Sequence, residues 1–311
     1  MEIAITGATG FIGKHLLARH LAQGDQVRYL TRKKPPSENG AKAYLGDLNS
    51  PDELQAFIRN VDIVYHCAAE IRDEALMAAT NVKGTANLLD AADGRIGRWV
   101  QLSSTGVYGP QRAGIITEGH PFAPVNAYEK TKLQSDLLVL DAVENRGLDA
   151  VILRPSNVYG NDMLNQSLFQ LIAMINKGLF FYLGKPGATA NYVHVENVVD
   201  ALVLAGQTAN IKSGQAYIVS DFCTLENFAG FIAENLGKNT PSIRLPEKTV
   251  RLLAKILSSF TPFPLTPSRI DALTGRAVYS TERIEKELSY RNKISMAEGI
   301  ADLVRCYQQF N

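Results

Sequence analysis

The first half of the chain alternates short runs of β-branched, apolar residues with stretches in which apolar residues recur every three or four positions. The runs predict buried strands, and the second spacing predicts helices with one apolar face. The predicted strands are Glu2–Thr6, Gln26–Thr31, Asp62–His66, Arg98–Leu102 and Ala150–Leu153. The predicted helices are Ile12–Gln23, Pro51–Asn60, Thr80–Ala92 and Ala127–Glu144. Strands separated by helices indicate a doubly wound α/β fold with a parallel sheet.

The pattern changes after Arg154. Residues 161–185 mix helical and loop-like sequence, Asn191–Val195 predicts a strand, and Glu196–Gly206 predicts a helix. From Thr224 onward the sequence is mostly helical, with connections rich in proline and serine. We therefore expect one domain formed by residues 1–155 with 191–220 returning to it. Residues 156–190 and 221–311 are expected to form a smaller, mostly helical C-terminal lobe.

Composition narrows the possible partners. Apolar residues make up 46% of the chain, enough for a full core, and the formal net charge is +1. This balance gives no electrostatic reason to expect nucleic acid or an anionic membrane as partner. Three widely separated cysteines indicate neither a disulfide framework nor a metal site. The N-terminus shows no secretory pattern and the apolar stretch Leu252–Phe260 is too short to span a bilayer, so we expect a cytoplasmic protein.

A glycine-rich segment follows the first predicted strand and opens the first predicted helix. In such a turn Gly7 permits the sharp bend, Gly10 lets the backbone approach a pyrophosphate, and Gly13 lets the helix pack closely on the strand. The free N–H groups of the helix N-terminus favour bound phosphate. The segment therefore predicts a dinucleotide site with contacts from Gly7, Thr9, Gly10, Phe11, Ile12 and Gly13.

The end of the second strand bears on the choice of cofactor. A carboxylate there would bind the ribose hydroxyls of NAD, but the sequence has Thr31, Arg32, Lys33 and Lys34 instead. These cations predict a 2′-phosphate contact and hence NADP, with NAD possible; the alternative is a solvated run of charges. Asp47-Leu48 predicts a contact with the adenine, or else a structural aspartate at a helix entry.

Tyr128 and Lys132 are one helical turn apart on a predicted helix and therefore share a face. A nearby ammonium stabilises a phenolate and lowers the pKa of the phenol, which suits proton transfer. Ser104 closes the strand before this helix, where its hydroxyl can bond the substrate oxygen that Tyr128 protonates. The alternative reading of Ser103-Ser104 is a simple turn.

Together these segments resemble the extended short-chain dehydrogenases/reductases, the NAD(P)-dependent epimerase/dehydratase-like group. Further segments carry the resemblance: Val64–Ala69, Asn81–Thr85, Ser103–Gly109, Leu153–Gly160 and Tyr192–Val198. The resemblance implies a Rossmann-type nucleotide-binding domain, a C-terminal substrate-binding lobe and an NAD(P)-dependent oxidoreductase or epimerase. It also implies a homodimer packed through the helices that carry Asn81 and Tyr128.

The resemblance also assigns roles to residues. It implies a catalytic triad of Ser104, Tyr128 and Lys132, with Lys132 also bonding the nicotinamide ribose. The cofactor cleft is expected to be lined by Cys67, Ala68 and Ala69, and its nicotinamide side by Pro155, Ser156 and Asn157. Substrate contacts are expected from Ser104, Thr105, Asn157 and Arg276. Asn81 is either catalytic or bonded to backbone, and His66 and His194 are expected to be structural.

Two departures from the family pattern limit the possible reactions. Family dehydratases carry Asp-Glu where this chain has Thr105-Gly106, which argues against dehydration. Nucleotide-sugar epimerases carry Arg-Asp where this chain has Ala190-Asn191. Arg276 is either a replacement cation for a substrate diphosphate or a solvated arginine near a turn.

Three hypotheses remain open. The first is an epimerase or 4-ketoreductase acting on a nucleotide-sugar, with the basic end of the second strand favouring an NADPH-consuming ketoreductase. The second is a reductase or dehydrogenase of a non-nucleotide alcohol or ketone, such as a hydroxysteroid- or dihydroflavonol-like compound; Ala190 and the apolar segment Leu164–Tyr182 favour it. The third is a non-catalytic NAD(P)-sensing protein, which the retained Tyr128 and Lys132 disfavour.

Overall fold

The computed structural model describes residues 1–33, 40–92, 94–163, 166–257 and 266–310. Lys34, the last cation of the predicted 2′-phosphate site, and Leu164, the first residue of the apolar segment, lie outside the described residues.

The regular elements of the described residues are as follows. The strands are β1 (Glu2–Thr6), β2 (Gln26–Thr31), β3 (Lys42–Leu45), β4 (Val61–His66), β5 (Ile96–Leu102), β6 (Ala113–Ile116), β7 (Ala150–Pro155), β8 (Asn157–Tyr159), β9 (Tyr182–Leu183), β10 (Thr189–His194), β11 (Gln215–Val219), β12 (Asp221–Thr224), β13 (Arg244–Leu245) and β14 (Arg276–Tyr279). The helices are α1 (Phe11–Ala22), α2 (Pro51–Ile58), α3 (Glu74–Met77), α4 (Gly84–Ala92), α5 (Ala127–Arg146), α6 (Ser167–Asn176), α7 (Val195–Gln207), α8 (Leu225–Asn235), α9 (Glu247–Leu257), α10 (Pro267–Thr274), α11 (Glu282–Leu288) and α12 (Met296–Phe310). A π-helical segment, Ala78–Lys83, joins α3 to α4, and a 3-10 turn, Thr105–Tyr108, follows β5.

The central sheet of the described chain has seven parallel strands in the order β11-β7-β5-β4-β1-β2-β3. The chain runs outward from β1 through β2 to β3 and then returns to the other side of β1 as β4. The strand order therefore reverses between β1 and β4, and in such sheets ligands bind in the crevice at the carboxyl ends of those two strands. The predicted doubly wound α/β fold is confirmed.

Helices cover both faces of this sheet, which is why the central strands are buried along almost their whole length. On one face α1 and α7 pack through an apolar cluster that includes Leu16 and Leu202. On the other face α2, α4 and α5 pack through Leu54, Leu88 and Val139. The sheet is thus held rigidly from both sides, and its carboxyl edge is a fixed platform for a site.

A second apolar cluster forms around a smaller sheet of three strands, in the order β12-β10-β8. Helices α6, α8 and α12 pack around it, and Phe228 of α8 is stacked on Tyr192 of β10. Strand β11 returns to the central sheet beside β7, whereas β10 lies in the smaller sheet. The exact division of the chain into two lobes stays a prediction. Among the described residues, no helix has both the length and the apolar character that crossing a bilayer requires.

Several elements differ from the sequence-based expectation; β6 and β14 were not predicted, and β14 lies in the region expected to be mostly helical. The edge strand β3 was not predicted, because its residues are exposed or half-buried and show no apolar run. The helical region predicted to begin at Thr80 begins at Glu74, where the Asp73 side chain accepts the Ala75 N–H at 3.1 Å as an N-cap.

Candidate active site

The glycine-rich turn lies where β1 ends and α1 begins. Gly7 has a φ of +70°, and a Cβ added there would lie 2.7 Å from the Ala68 backbone nitrogen. A Cβ on Gly13 would lie 2.1 Å from the Gly7 carbonyl oxygen. Both positions therefore require glycine, one for its φ and for the approach of β4, the other for the packing of α1 on the turn.

The N-terminus of α1 is open to an anion. Gly10 is its N-cap, its first turn contains no acidic residue, and no side chain of the described residues caps it. The unpaired N–H groups and the helix dipole therefore give this end a positive potential. Thr9 and Gly10 are exposed, while Phe11 and Ile12 are half-buried beside them. A pyrophosphate would meet backbone N–H groups here, which agrees with the predicted phosphate loop.

The end of β2 presents exposed cations. Arg32 and Lys33 are exposed, and the Thr31 hydroxyl donates to the Lys33 carbonyl at 2.9 Å. Within the described ranges Arg32 forms no ion pair. The pKa of Glu70 is lowered mainly by hydrogen bonds from backbone N–H groups, and the charge of Arg32 makes a smaller contribution. Arg32 and Lys33, two of the cations that the sequence assigned to a 2′-phosphate, are therefore accessible to a ligand.

The predicted adenine contact has mainly local partners. Asp47 Oδ1 accepts the backbone N–H of Asn49 at 2.8 Å and its side-chain amide at 3.0 Å. Leu48 is buried and packs in the core against Gly84, whose added Cβ would lie 2.8 Å from the Leu48 Cβ. These contacts match the structural reading of Asp47-Leu48, and the adenine contact stays a prediction.

The end of β4 lies directly beside the glycine turn. The Ala68 N–H donates to the Thr6 hydroxyl at 3.3 Å, and Ala69 follows it into the crevice. Burial raises the pKa of the Cys67 thiol to about 12, so this side chain remains a neutral packing group. His66 is buried between the hydroxyls of Thr6 and Thr85, at 2.7 and 2.9 Å, as expected for a structural histidine.

Asn81 and His194 both have structural partners. The Asn81 amide exchanges two hydrogen bonds with the Glu70 backbone, at 2.6 and 3.0 Å, and donates to the Thr131 hydroxyl at 3.0 Å. His194 caps α7 by accepting the Glu196 N–H at 3.3 Å. Asn81 thereby holds the π-helical segment against α5, the helix that carries Tyr128.

Helix α5 begins at a complete capping box. The Asn126 side chain accepts the Glu129 N–H at 2.9 Å, and the Glu129 carboxylate accepts the Asn126 N–H in return. This cap fixes the first turn and therefore the position of Tyr128. The Ser104 side chain lies close enough to the Tyr128 hydroxyl to lower the pKa of that phenol, and its oxygen accepts the Gly106 N–H at 3.0 Å. The structure therefore places the predicted serine and tyrosine side by side.

Lys132 lies one turn further along α5 and is buried. Its ammonium donates to the Leu102 carbonyl at the end of β5, so it points toward the same strand end as Tyr128. Burial raises the pKa of Tyr128 to about 12, with Asp136 adding to the rise and Ser104 opposing it. Lys132 is not among the groups that shift this pKa, so the expected stabilisation of the phenolate by the ammonium stays a prediction.

The remaining predicted residues lie on neighbouring strand ends. Ser156 follows β7 and its hydroxyl accepts that of Ser220 at 2.8 Å, while Pro155 pairs with Val219 of β11. The exposed Asn157 donates its side-chain amide to the Asn191 carbonyl at 3.1 Å. These residues stand at the carboxyl end of β7, two strands from the β1–β4 crevice.

Arg276 begins β14, which pairs with β6. Its guanidinium is exposed and donates to the carbonyls of Lys185, Pro186 and Thr274 at 2.9, 3.2 and 3.2 Å. In the described parts of the chain it has no carboxylate partner. Its charge is thus oriented by backbone but not neutralised.

A family model described as "NAD dependent epimerase/dehydratase family" matches residues 3–220. The chain belongs to this family. It is 28% identical to 4-hydroxy-2-methyl-3-oxo-4-farnesyl-3,4-dihydroquinoline-1-oxide ketoreductase of Stigmatella aurantiaca, over 96% of this chain and 95% of the relative. It is 30% identical to human short-chain dehydrogenase/reductase family 42E member 1, over 93% and 84%. The solved structure of DesIV, a dTDP-glucose 4,6-dehydratase of Streptomyces venezuelae with NAD bound, has a TM-score of 0.76 at 25% identity and covers 99% and 97%.

Membership makes the chain an NAD(P)-dependent oxidoreductase or epimerase of the extended short-chain dehydrogenase/reductase type. The turn at the β1–β4 crevice fits a dinucleotide, because Gly7 and Gly13 let the backbone of β1, of α1 and of the residues after β4 come together while Thr9 and Gly10 stay exposed. The N-terminus of α1, without an acidic residue in its first turn, suits the charge of a pyrophosphate.

Other contacts occupy positions 105 and 106, where family dehydratases carry an Asp-Glu pair. Thr105 is buried and lies beside Tyr279 of β14, close enough to shift the pKa of that phenol. A Cβ on Gly106 would lie 2.9 Å from the Glu129 Cγ, so the Glu129 stem occupies that space. At the position of the epimerases' arginine, Ala190 is packed in the apolar cluster of the smaller sheet.

Two residues that the sequence analysis did not predict lie next to the site. Tyr279 reaches Thr105 from β14, a contact between distant segments for which the sequence has no local signal. Asp136 is completely buried on α5, one turn after Lys132. The spacing of 128, 132 and 136 by four residues was a usable signal for this acidic side chain, since it places all three on one face.

Proposed function

We propose that this protein is an NADPH-dependent ketoreductase in which Tyr128 gives the proton to the substrate oxygen. The observation that carries the proposal is the convergence of three side chains at the end of β5, where Ser104 lies beside Tyr128 and the ammonium of the buried Lys132 donates to the Leu102 carbonyl. When bound, a nicotinamide dinucleotide supplies or accepts the hydride. The glycine turn and the N-terminus of α1 would hold its pyrophosphate, and Arg32 with Lys33 would meet a 2′-phosphate.

The chain's own groups account for the proton. A substrate carbonyl oxygen placed beside Ser104 accepts a hydrogen bond from its hydroxyl, which polarises the carbonyl. Tyr128 then donates its proton to the oxygen as negative charge develops there, and the Lys132 ammonium stabilises the resulting phenolate. In alcohol oxidation the same groups act in reverse, with the phenolate accepting the proton.

We propose a nucleotide-sugar as the first substrate class. Arg276 supports it, because an exposed guanidinium held by three carbonyls and free of carboxylate partners in the described chain is suited to a diphosphate. DesIV, whose name states a dTDP-glucose substrate, resembles this chain over nearly its whole length. Epimerisation of the same substrates belongs to this class and requires Tyr128 to move the proton in both directions.

A ketone without a nucleotide is the second candidate. Ala190 supports it, since this buried methyl group lies where nucleotide-sugar epimerases carry an arginine. The ketoreductase of Stigmatella aurantiaca, which is named for a farnesyl-substituted dihydroquinoline oxide, is 28% identical to this chain. The proposals of a homodimer and of a cytoplasmic location rest on the family resemblance and on composition.

The test combines a substrate panel with one substitution. UDP-, GDP- and dTDP-linked ketosugars and a panel of apolar cyclic ketones are assayed by NADPH absorbance at saturating cofactor. Turnover of the first group supports the nucleotide-sugar proposal, and turnover of only the second group replaces it. For the substrate that reacts, Tyr128→Phe is expected to lower kcat about 10²-fold or more. Tyr44→Phe, which removes a phenol hydroxyl on the edge strand β3, is the control, and an unchanged rate in Tyr128→Phe would remove Tyr128 from the mechanism.

A further inference from the structure

A single buried carboxylate joins three segments around the candidate active site. Asp136 Oδ2 accepts the Ser103 hydroxyl at 2.8 Å and Arg154 Nε at 3.1 Å, and Arg154 Nη2 lies 3.1 Å from the same oxygen. Both members of the ion pair are almost completely buried. Asp136 itself lies on α5, Ser103 follows β5, and Arg154 belongs to β7. The carboxylate therefore ties the two strand ends to the helix.

Each partner of Asp136 is the chain neighbour of a predicted site residue. Ser103 immediately precedes Ser104, and Arg154 immediately precedes Pro155. A side chain that fixes Ser103 and Arg154 thus also fixes the backbone from which those two residues project. Because α5 carries Tyr128 on the same face, the geometry of the serine, the tyrosine and the end of β7 depends on one carboxylate.

Arg154 extends this connection to the rim of the site. Its Nη1 donates to the Tyr108 hydroxyl at 2.9 Å, and its guanidinium carbon lies 4.9 Å from the centre of the Phe122 ring. Tyr108 and Phe122 are themselves stacked, with ring centroids 5.9 Å apart. The segment between β6 and α5 is therefore anchored to the same ion pair.

The contacts of Asp136 fit a carboxylate and not a carboxylic acid. All its donors converge on Oδ2, whereas Oδ1 is buried without a hydrogen-bond partner in the described residues. An acid proton on Oδ1 would have no acceptor there. Burial raises the pKa of the Asp136 carboxyl, and the charges of Arg154 and Lys132 with the Ser103 hydroxyl oppose that rise.

The charged neighbours of Lys132 make Asp136 electrostatically important. Burial lowers the pKa of Lys132, and the groups that oppose this are Asp136, first, and Cys67. His66 and Tyr128 also face this interior, and Lys132 contributes to the lowered pKa of His66. Asp136 is thus the one carboxylate among the described residues that favours the charged form of the lysine.

We propose that Asp136 is a positioning residue, which holds Ser103 and Arg154 beside α5 and keeps Lys132 charged within the buried site. The inference rests on the proposed function of Tyr128 and Lys132. Asp136 acts through these side chains and not by contact with the substrate. Its charge also raises the pKa of Tyr128, so it favours the protonated phenol and the protonated lysine together.

The test measures Lys132 directly, in the full-length protein and without substrate. Protein labelled with ¹³C at lysine Cε is titrated by NMR, and Lys132→Met identifies the Lys132 resonance. Asp136→Asn is expected to lower the apparent pKa of Lys132 by about one unit or more, as removal of a nearby opposite charge does. Asp136→Glu restores the charge and is expected to recover most of that shift.

Two further variants separate this role from a merely structural one. Asp25→Asn changes a partly buried carboxylate, bonded to His20 and the N-terminal amine at the amino edge of the sheet, and is expected to leave the pKa of Lys132 unshifted. Where Asp136→Asn fails to fold because Arg154 is left unpaired, Asp136→Asn with Arg154→Gln removes both buried charges. That double variant is also expected to lower the pKa of Lys132, by less than Asp136→Asn, because Asp136 lies one helical turn from Lys132 on α5 whereas Arg154 lies on β7.

An unchanged Lys132 pKa in Asp136→Asn, or in the double variant where the single one does not fold, overturns the proposal. An equal shift in Asp25→Asn overturns it as well. The outcome is independent of the proposed function, which fails instead if Tyr128→Phe retains full turnover.

Discussion

Gly7 and Gly24 offer a matched pair for testing the dinucleotide cradle. Both have positive φ, at +70° and +80°, so an alanine at either position meets the same backbone strain. They differ in their surroundings. A Cβ on Gly7 would lie 2.7 and 2.8 Å from backbone atoms of Ala68, whereas a Cβ on Gly24 would have no described atom within 4 Å. Gly7→Ala and Gly24→Ala therefore differ mainly by the approach of β4.

The structure gives the size of the expected effect. The left-handed conformation costs an alanine roughly 1–2 kcal/mol, so Gly24→Ala is expected to lower the free energy of unfolding by about that amount. At Gly7 the atoms in the way are backbone, so no side-chain rotation relieves the clash, and crowding adds roughly 1–3 kcal/mol. Gly7→Ala is therefore expected to cost roughly 2–5 kcal/mol.

The assay is urea denaturation of both variants, followed by titration of the folded proteins with NADP and NAD. Because Gly7 lies at the β1–β4 crevice, its variant is expected to lose affinity for both dinucleotides. Gly24 lies in the turn before β2, at the opposite edge of the sheet, and its variant is expected to bind like the parent. Equal losses of stability in the two variants, together with unchanged cofactor affinity in Gly7→Ala, would refute the reasoning.

Three further expectations follow from the same site. Arg32→Ser is expected to weaken NADP binding about tenfold or more by calorimetry and to leave NAD unchanged, because only NADP carries the phosphate; equal losses would contradict this. Burial lowers the pKa of His66 to about 3 in the folded protein. As the pH falls below about 6.5, this histidine is protonated in the unfolded chain but not in the folded one, so the free energy of unfolding decreases. His66→Gln is expected to show a smaller drop in urea midpoint from pH 7 to 5 than the parent; an equal drop would remove His66 as a cause. With the pKa of Tyr128 raised to about 12, alcohol oxidation is expected to accelerate from pH 7 to 10, and ketone reduction is not; initial rates in both directions at 340 nm check this, and a flat oxidation profile would contradict it.

The parts of the fold that could be predicted from sequence are those with local causes. The strands near β1 are buried on both faces, so they appear as continuous apolar runs, and the glycine turn is set by steric limits within a few residues. The edge strand β3 lacks such a run and owes its conformation to pairing with β2. The early start of the α3 region had a local signal, the Asp73 cap, which the apolar periodicity did not reveal.

In the candidate site, too, the features with local causes could be predicted and those that depend on distant segments could not. The Tyr128–Lys132 spacing follows from helix geometry alone, and the placement of Ser104 follows from a strand end. The Asp136–Arg154 ion pair joins a helix to a strand, and the Tyr279–Thr105 contact joins β14 to the turn after β5. Such contacts depend on how distant elements pack. The raised pKa of Tyr128 could not be predicted either, because helix spacing reveals the nearby lysine but not the burial of the phenol.

The protonation states favoured by this site bear on the choice between a reductase and an epimerase. Burial disfavours both charged forms, the phenolate of Tyr128 and the ammonium of Lys132. The negative charge of Asp136 opposes the loss of the ammonium and adds to the penalty on the phenolate, so phenol and ammonium are favoured together. That combination is the proton donor that a substrate ketone requires. An epimerase must both remove and return a proton in each cycle, which a phenol of nearly balanced acidity serves better. The buried carboxylate therefore suits the protonation state from which ketone reduction starts, in agreement with the NADPH that we propose from the exposed Arg32 and Lys33 after β2.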